Sequence, residues 1–212
     1  MVADRLDHIH GMAGSAPSGM KTSEISSAAV RAQFDALLAP EPADGAGAAA
    51  DAPARLALAA ARARAADLAV LPLGLQGSAD VRDLASLHAA IVLQTVRHGH
   101  AAVSTLLLSA GGVTHRGKPA GPAEYLLALA LSLDENRAIY GAAVGPDAGA
   151  KPCTFFLAPD TLARARARAL DPGTMLLAGQ ARELFTLLGD AGTVDAALAP
   201  ASVLRAVLVL QS

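Results

Sequence analysis

The sequence predicts an α/β fold, a parallel or mixed sheet with helices on both faces, preceded by a flexible N-terminal segment. Three observations carry this. Short apolar runs alternate with segments whose apolar residues recur at helical spacing. The apolar runs are apolar almost throughout, as strands covered on both faces are. The stretches between them are long enough to hold the crossover helices that parallel strands need.

Bulk properties set the bounds. At 212 residues the chain suffices for one good core, or one domain plus a tail. Seventeen basic and 19 acidic residues give a net charge of −2, and aromatics make up 3%. No strong positive field favours nucleic acid, and few rings are on hand for base stacking. The single cysteine, Cys153, excludes an internal disulfide and reads as a small buried strand residue in a reducing compartment. The N-terminus lacks the apolar core of a secretory signal. The most apolar stretch, Ala123 to Leu133, is about half the ~20 residues of a membrane span. A cytoplasmic protein with no membrane or nucleic-acid partner is expected.

Element by element, Met1 to about Ser23 is Gly/Ser/Met/His-rich and aperiodic, and is expected to fray. Ser23, Ser26 and Ser27 can cap a helix to Leu38, with Val30, Phe34, Leu37 and Leu38 on one face. Ala39 to Pro53 has the composition of a linker. A helix from Ala54 to Ala66, a strand from Leu68 to Leu73 and a turn at Gly74 to Gly77 follow. Asp80 opens a helix with Val81, Leu84, Leu87, His88, Ile91 and Val92 at helical spacing, ended by Gly99.

The stretch Ser104 to Leu133 is the most informative. Its reading is a strand over Ser104 to Leu108, a glycine-rich loop, and a helix from Pro122 with Glu124 in its first turn. Such a strand–loop–helix presents backbone N–H groups to an anion, although the spacing fits neither a P-loop nor GxGxxG. Beyond it come a strand over Ala138 to Val144, a short strand or extended lead-in at Cys153 to Leu157, and a helix capped by Asp160 and running to Leu170. A helix opened by Asp171-Pro172, another over Gln180 to Leu188, and a last strand over Val203 to Leu210 complete the chain.

Several separated blocks resemble, in the right order, the MOFRL domain of the type-2 glycerate kinases, some of which carry the older label hydroxypyruvate reductase. Ser109, Gly111, Thr114, Gly117, Gly121 and the run Glu124 to Leu131 fall in step with that family. So do Ala158 to Ala165 with Leu170-Asp171-Pro172, Phe185 to Asp190, and Arg205 to Val209. Upstream, Ala66 to Gly99, including Leu87 to Ile91, is similar as well. The resemblance implies a MOFRL-like domain over residues 53–212, with 1–52 forming a tail, one helix and a linker. It further implies ATP-dependent phosphorylation of D-glycerate, with ATP and Mg²⁺ as cofactors if the chain is active. Ser109, Gly111, Gly112, Thr114 and Gly121 would then line the anion site, with Lys118 as counter-charge. The chain departs from the family where carboxylates count: the Glu after the two glycines is Gly112 or Val113, and an acidic segment has shrunk to Ala143 to Asp147. Asp147 is left as the candidate catalytic group, and it cannot alone hold Mg²⁺ and assist a hydroxyl. Most of the family's larger N-terminal domain, the other wall of its cleft, has no counterpart here. The readings are therefore a glycerate 2-kinase-like domain of partial or weak activity, a degenerate domain kept for assembly or regulation, or a hydroxypyruvate reductase. The last lacks a dinucleotide fingerprint. Partners implied are a small-molecule substrate or anion, and either the missing domain or a second copy of the chain.

Other constellations read more plainly. No two histidines lie four apart on a helix and no cysteine pairs with one, so no metal site is expected. His88 reads as a packed helix residue. His115, Arg116 and Lys118 offer cationic groups in the glycine loop. Arg164, Arg166 and Arg168 read as an exposed, Ala-rich helix on which only Arg164 and Arg168 share a face.

Overall fold

The computed structural model describes residues 26–39, 52–98, 104–133, 138–147, 150–195 and 199–211. The expected tail before 26, most of the linker, Gly99 and the Ala148-Gly149 pair lie outside these residues. The elements run α1 (Ser27–Leu38), α2 (Ala52–Ala65), β1 (Ala69–Asp80), α3 (Val81–His98), β2 (Thr105–His115), β3 (Lys118–Ala120) and α4 (Pro122–Leu133). They continue as β4 (Ile139–Asp147), β5 (Ala150–Leu157), α5 (Thr161–Ala167), α6 (Pro172–Leu177), α7 (Ala181–Leu188), β6 (Ala191–Thr193) and β7 (Val203–Val209).

One mixed sheet holds all the strands in the order β1-β2-β7-β4-β5-β6, with β3 beside β2. Among the described residues only β1 and β2 pair in parallel; β2–β3, β2–β7, β4–β7, β4–β5 and β5–β6 are antiparallel. The four strands expected near Leu68, Ser104, Ala138 and Val203 are all in it.

Both faces are covered, as the apolar strands required. Because successive strand side chains point to opposite faces, Leu106, Leu108, Ala110, Leu204, Ala206 and Leu208 meet α1 and α2. Leu107, Val113, Val203, Val207 and Val209 meet the layer of α3 to α7. α1 is capped by Ser26, whose hydroxyl accepts from the Ala29 N–H. It packs Phe34 edge-on to Phe156, with centroids 6.0 Å apart. α4 is the central helix of the other layer. Nearly every residue from Pro122 to Ala130 is buried, which a helix apolar all round demands.

Three local expectations are corrected. The chain does not turn at Gly74 to Gly77; β1 runs through to Asp80, with register irregularities at Pro72/Gly74 and Gln76/Ala79. The strand from Ser104 does not stop at Leu108. β2 continues to His115 and folds back through Arg116 and Gly117, both at positive φ (54° and 74°), as a two-residue hairpin turn requires. Asp160 makes no side-chain cap bond, and its helix ends at Ala167. By contrast Asp171 does cap α6, accepting from the N–H groups of Gly173 and Thr174.

Nor are the arginines of α5 idle. Arg164 is half-buried, pairing with Asp190 at 2.5 Å and Asp160 at 3.1 Å. Arg168 reaches the Leu187 carbonyl at the end of α7. Burial holds the Asp190 carboxyl above its usual range, against the pull of Arg164. Cys153 and His88 are both buried, as expected.

Candidate functional site

The expected anion site splits into an interior part and a rim part, because its glycine loop is a strand. Ser109 is fully buried, and its hydroxyl accepts from Arg205 Nε at 3.0 Å. The Gly111 carbonyl accepts from a terminal N–H of the same guanidinium at 3.2 Å. Arg205 is itself wholly buried, directly opposite Ser109 in the β2–β7 register. Its guanidinium stands over the Tyr125 ring of α4, 5.3 Å from the centroid. The Tyr125 hydroxyl lies 2.7 Å from His88 Nδ1 of α3. Burial first, and the Arg205 charge second, lower the His88 pKa to about 4. Burial raises that of Tyr125. Both rings are therefore neutral at physiological pH, around a cation whose own pKa burial lowers.

At the rim, Gly112 is exposed and Thr114 donates its hydroxyl to the Ala79 carbonyl of β1 at 3.3 Å. Lys118 is exposed on β3, opposite His115 in the hairpin. The cationic trio is thus spread along and around a turn rather than gathered on a loop.

Gly121 and Asp147, far apart in the chain, do come together. A Cβ on Gly121 would stand 2.0 Å from Asp147 Oδ1, so the carboxylate lies against the Gly121 backbone at the start of α4. Asp147 Oδ2 pairs with Arg182 Nε of α7 at 2.5 Å. Arg182 also donates to the Lys151 carbonyl at 3.0 Å and to Cys153 Sγ at 3.1 Å. A protein carboxylate thus occupies the place beside the helix start where a bound anion was expected. The Gly121 N–H is used locally, donating to Glu124 Oε2 at 3.0 Å.

Arg205 and Arg182 are the residues the sequence reading missed. Nothing local marks either one, since their partners are distant in sequence. A cleft of about 210 Å³ between α3, α4 and α6 is lined by Arg82, Ser86, Ala128, Leu131, Ser132 and Leu176, none of them an expected site residue.

The donor set does not suit Mg²⁺. That ion takes carboxylates together with water and phosphate oxygens. The Asp147 carboxylate is buried and committed to Arg182. Among the described residues no three His, Cys, Asp or Glu side chains gather.

No protein-family model matches the chain. In an alignment 150 positions long that covers 66% of the chain, it is 29% identical to an Agrobacterium vitis protein that bears the provisional name hydroxypyruvate reductase. In fold it is similar to the glycerate kinase of Thermotoga maritima, with a TM-score of 0.66 and 14% identity over 74% of this chain. A protein from Pyrococcus horikoshii gives 0.63 at the same identity and coverage. The chain spans about two fifths of the length of each of these proteins: 38%, 40% and 38%. In sequence and in fold, then, it is similar to a domain of the glycerate kinase and hydroxypyruvate reductase group, as its sequence blocks imply.

Proposed function

We propose that residues 53–212 are a glycerate 2-kinase-like domain whose own phosphotransferase activity towards D-glycerate is weak. The observation that supports this is the ion pair of Asp147 with Arg182: the carboxylate available at the expected site is already neutralised and held against Gly121. Phosphoryl transfer is catalysed almost wholly by positioning and charge stabilisation, through metal-holding carboxylates and cations aimed at the phosphoryl oxygens. Here those charges are turned on each other. What the rim does offer is the exposed Gly112 backbone and the Lys118 ammonium, a modest receptor for a small anion.

A coupled assay of ATP-dependent phosphorylation of D-glycerate, with Mg²⁺, tests the reading. Turnover well below about 1 s⁻¹, the low end of ordinary kinases, is expected. Turnover at or above that rate overturns it. Restoration of activity by a separately supplied segment, matching the part of the relatives this chain does not span, would identify the domain as one wall of a shared site.

The second reading is a degenerate domain kept for assembly or regulation. It is favoured by the inward commitment of Ser109 and Gly111 to Arg205. Absence of any amide response to D-glycerate over residues 109–121 would put it first. The reductase named for the Agrobacterium relative is the weakest proposal, for want of a dinucleotide fingerprint.

A further inference from the structure

β7 lacks the pattern that normally tells a strand how to sit. Where one face of a sheet is buried, the alternation of apolar and polar residues sets the register. Val203 to Val209 is buried along its whole length. Val203, Val207 and Val209 pack on the α3–α7 side, and Leu204, Ala206 and Leu208 on the α1–α2 side. Both faces are apolar, so a slip of one residue would exchange one set of apolar side chains for another. No tight turn fixes the pairing either, since β2 ends at His115 and β4 at Asp147, far along the chain from Val203. Arg205 is the one polar residue of the strand. It stands opposite Ser109 of β2 and Ala143 of β4, with Nε bonded to the Ser109 hydroxyl and a terminal nitrogen to the Gly111 carbonyl. A slip by one residue would place it between Leu108 and Ala142, or between Ala110 and Val144. A slip by two would place it between Leu107 and Gly141, or opposite Gly111, where the Val203 backbone now stands against Gly145. None of these places carries a side-chain acceptor.

We propose that Arg205 is a register lock, a buried cation that selects the one seating of β7 between β2 and β4 in which its donors are met. The lock works by making the other seatings worse rather than by making this one strong. Even here the second terminal nitrogen has no partner, and among the described residues no carboxylate neutralises the charge. An apolar side chain would therefore hold the strand at least as firmly, but without discrimination. The Tyr125 ring, 5.3 Å from the guanidinium carbon, adds a second mark of the α4 face over the opposite one. The lock does not depend on which reaction the domain serves.

The test is nuclear magnetic resonance of the whole isotope-labelled chain, with urea unfolding alongside. The wild type should give one set of amide signals for residues 203–209, with cross-strand Overhauser effects from Arg205 to Ser109 and Ala143. Arg205→Met replaces the charge with an apolar chain of similar length, and should unfold at an equal or higher urea midpoint. Its signals for 203–209 and for the facing residues of β2 and β4 should nevertheless double or broaden by exchange. A minor set should show contacts of residue 205 with Leu108 and Ala142, or with Leu107 and Gly141. Arg205→Lys keeps a buried donor and its charge, and should keep the single set at a lower midpoint. A single set with native cross-strand contacts in Arg205→Met overturns the proposal, because the register is then set elsewhere. Failure of Arg205→Met to fold overturns it too, since the guanidinium would then carry stability instead of choosing between seatings.

Discussion

Two arginines hold opposite sides of the same region and are treated very differently. Arg182, at the rim, is a little over a third exposed, and its charge is met by Asp147 at 2.5 Å, with a carbonyl and a thiol filling its other directions. Arg205, in the interior, has neither solvent nor, among the described residues, a carboxylate, and rests on a hydroxyl, a carbonyl and an aromatic face. At the rim, water reaches Arg182 but not the buried Asp147 carboxylate, so the pair keeps that carboxylate satisfied and fixes its geometry. In the interior water has no access, so the groups beside Arg205 change protonation only at high cost. The comparison shows where this domain is soft to chemistry and where it is not.

The sharpest way to break it is acid. His88 has a folded pKa of about 4, below the 6.5 of an unfolded histidine. Its contribution is thus present above pH 6.5 and is lost as the pH falls through 6.5 towards 4. By linkage this amounts to about 3 kcal/mol. Urea midpoints from pH 7.5 to 4 should drop for the wild type and fall clearly less for His88→Phe. Parallel curves would show that the interior is not the acid-sensitive part.

At the rim the strongest disturbance is steric. Gly121→Ala places a Cβ on the Asp147 carboxylate, swings it off Arg182, and should cost about 1–3 kcal/mol, as overpacking does. In an Asp147→Ala background the same change should cost almost nothing, and a urea double-mutant cycle measures the difference. A smaller contrast comes from replacing each guanidinium. Arg205→Met should leave stability unchanged or raised, whereas Arg182→Met, which leaves the buried Asp147 carboxylate unpaired, should lower it by about 1–3 kcal/mol. Both falling alike by urea titration would erase the distinction. Smallest of all, Lys118→Glu on exposed β3 should change stability by under about 0.5 kcal/mol. It should nevertheless reduce phosphate-induced amide shifts between Thr114 and Gly121. Absence of shifts there would leave the hairpin a plain connection.

Much of the fold was readable because it is written in local periods. The helix faces of α1, α3 and α7, the Asp171 cap and the apolar runs of β2, β4 and β7 each need only a dozen adjacent residues to recognise. What stayed hidden depends on distant pairing. Ser109 to His115 looks like a loop because a serine and two adjacent glycines favour turns. β1 holds it as strand on one side, with β7 and then β3 on the other, and its β1 partners are some 35 positions away. β6, three residues long, is defined only by its pairing with β5. The expected site residues were chosen by residue type, and Gly121 does sit beside Asp147. The two arginines that organise them, Arg182 and Arg205, were not identified. The first lies 35 residues from Asp147 and the second 96 from Ser109. A lone arginine in the run Val203 to Val209 looks the same whether it points to water or into the core.

The placement of β7 has a kinetic consequence. It lies between β2 and β4, which otherwise do not pair, and it is the last of the described strands to be made. Until the ribosome has delivered it, β1-β2 and β4-β5-β6 are two separate ribbons with facing open edges. The sheet therefore cannot close from the N-terminus onward. The nascent chain must keep both edges from finding other strands until a seven-residue insert arrives, and this is the stretch of its synthesis in which a chaperone has most to protect.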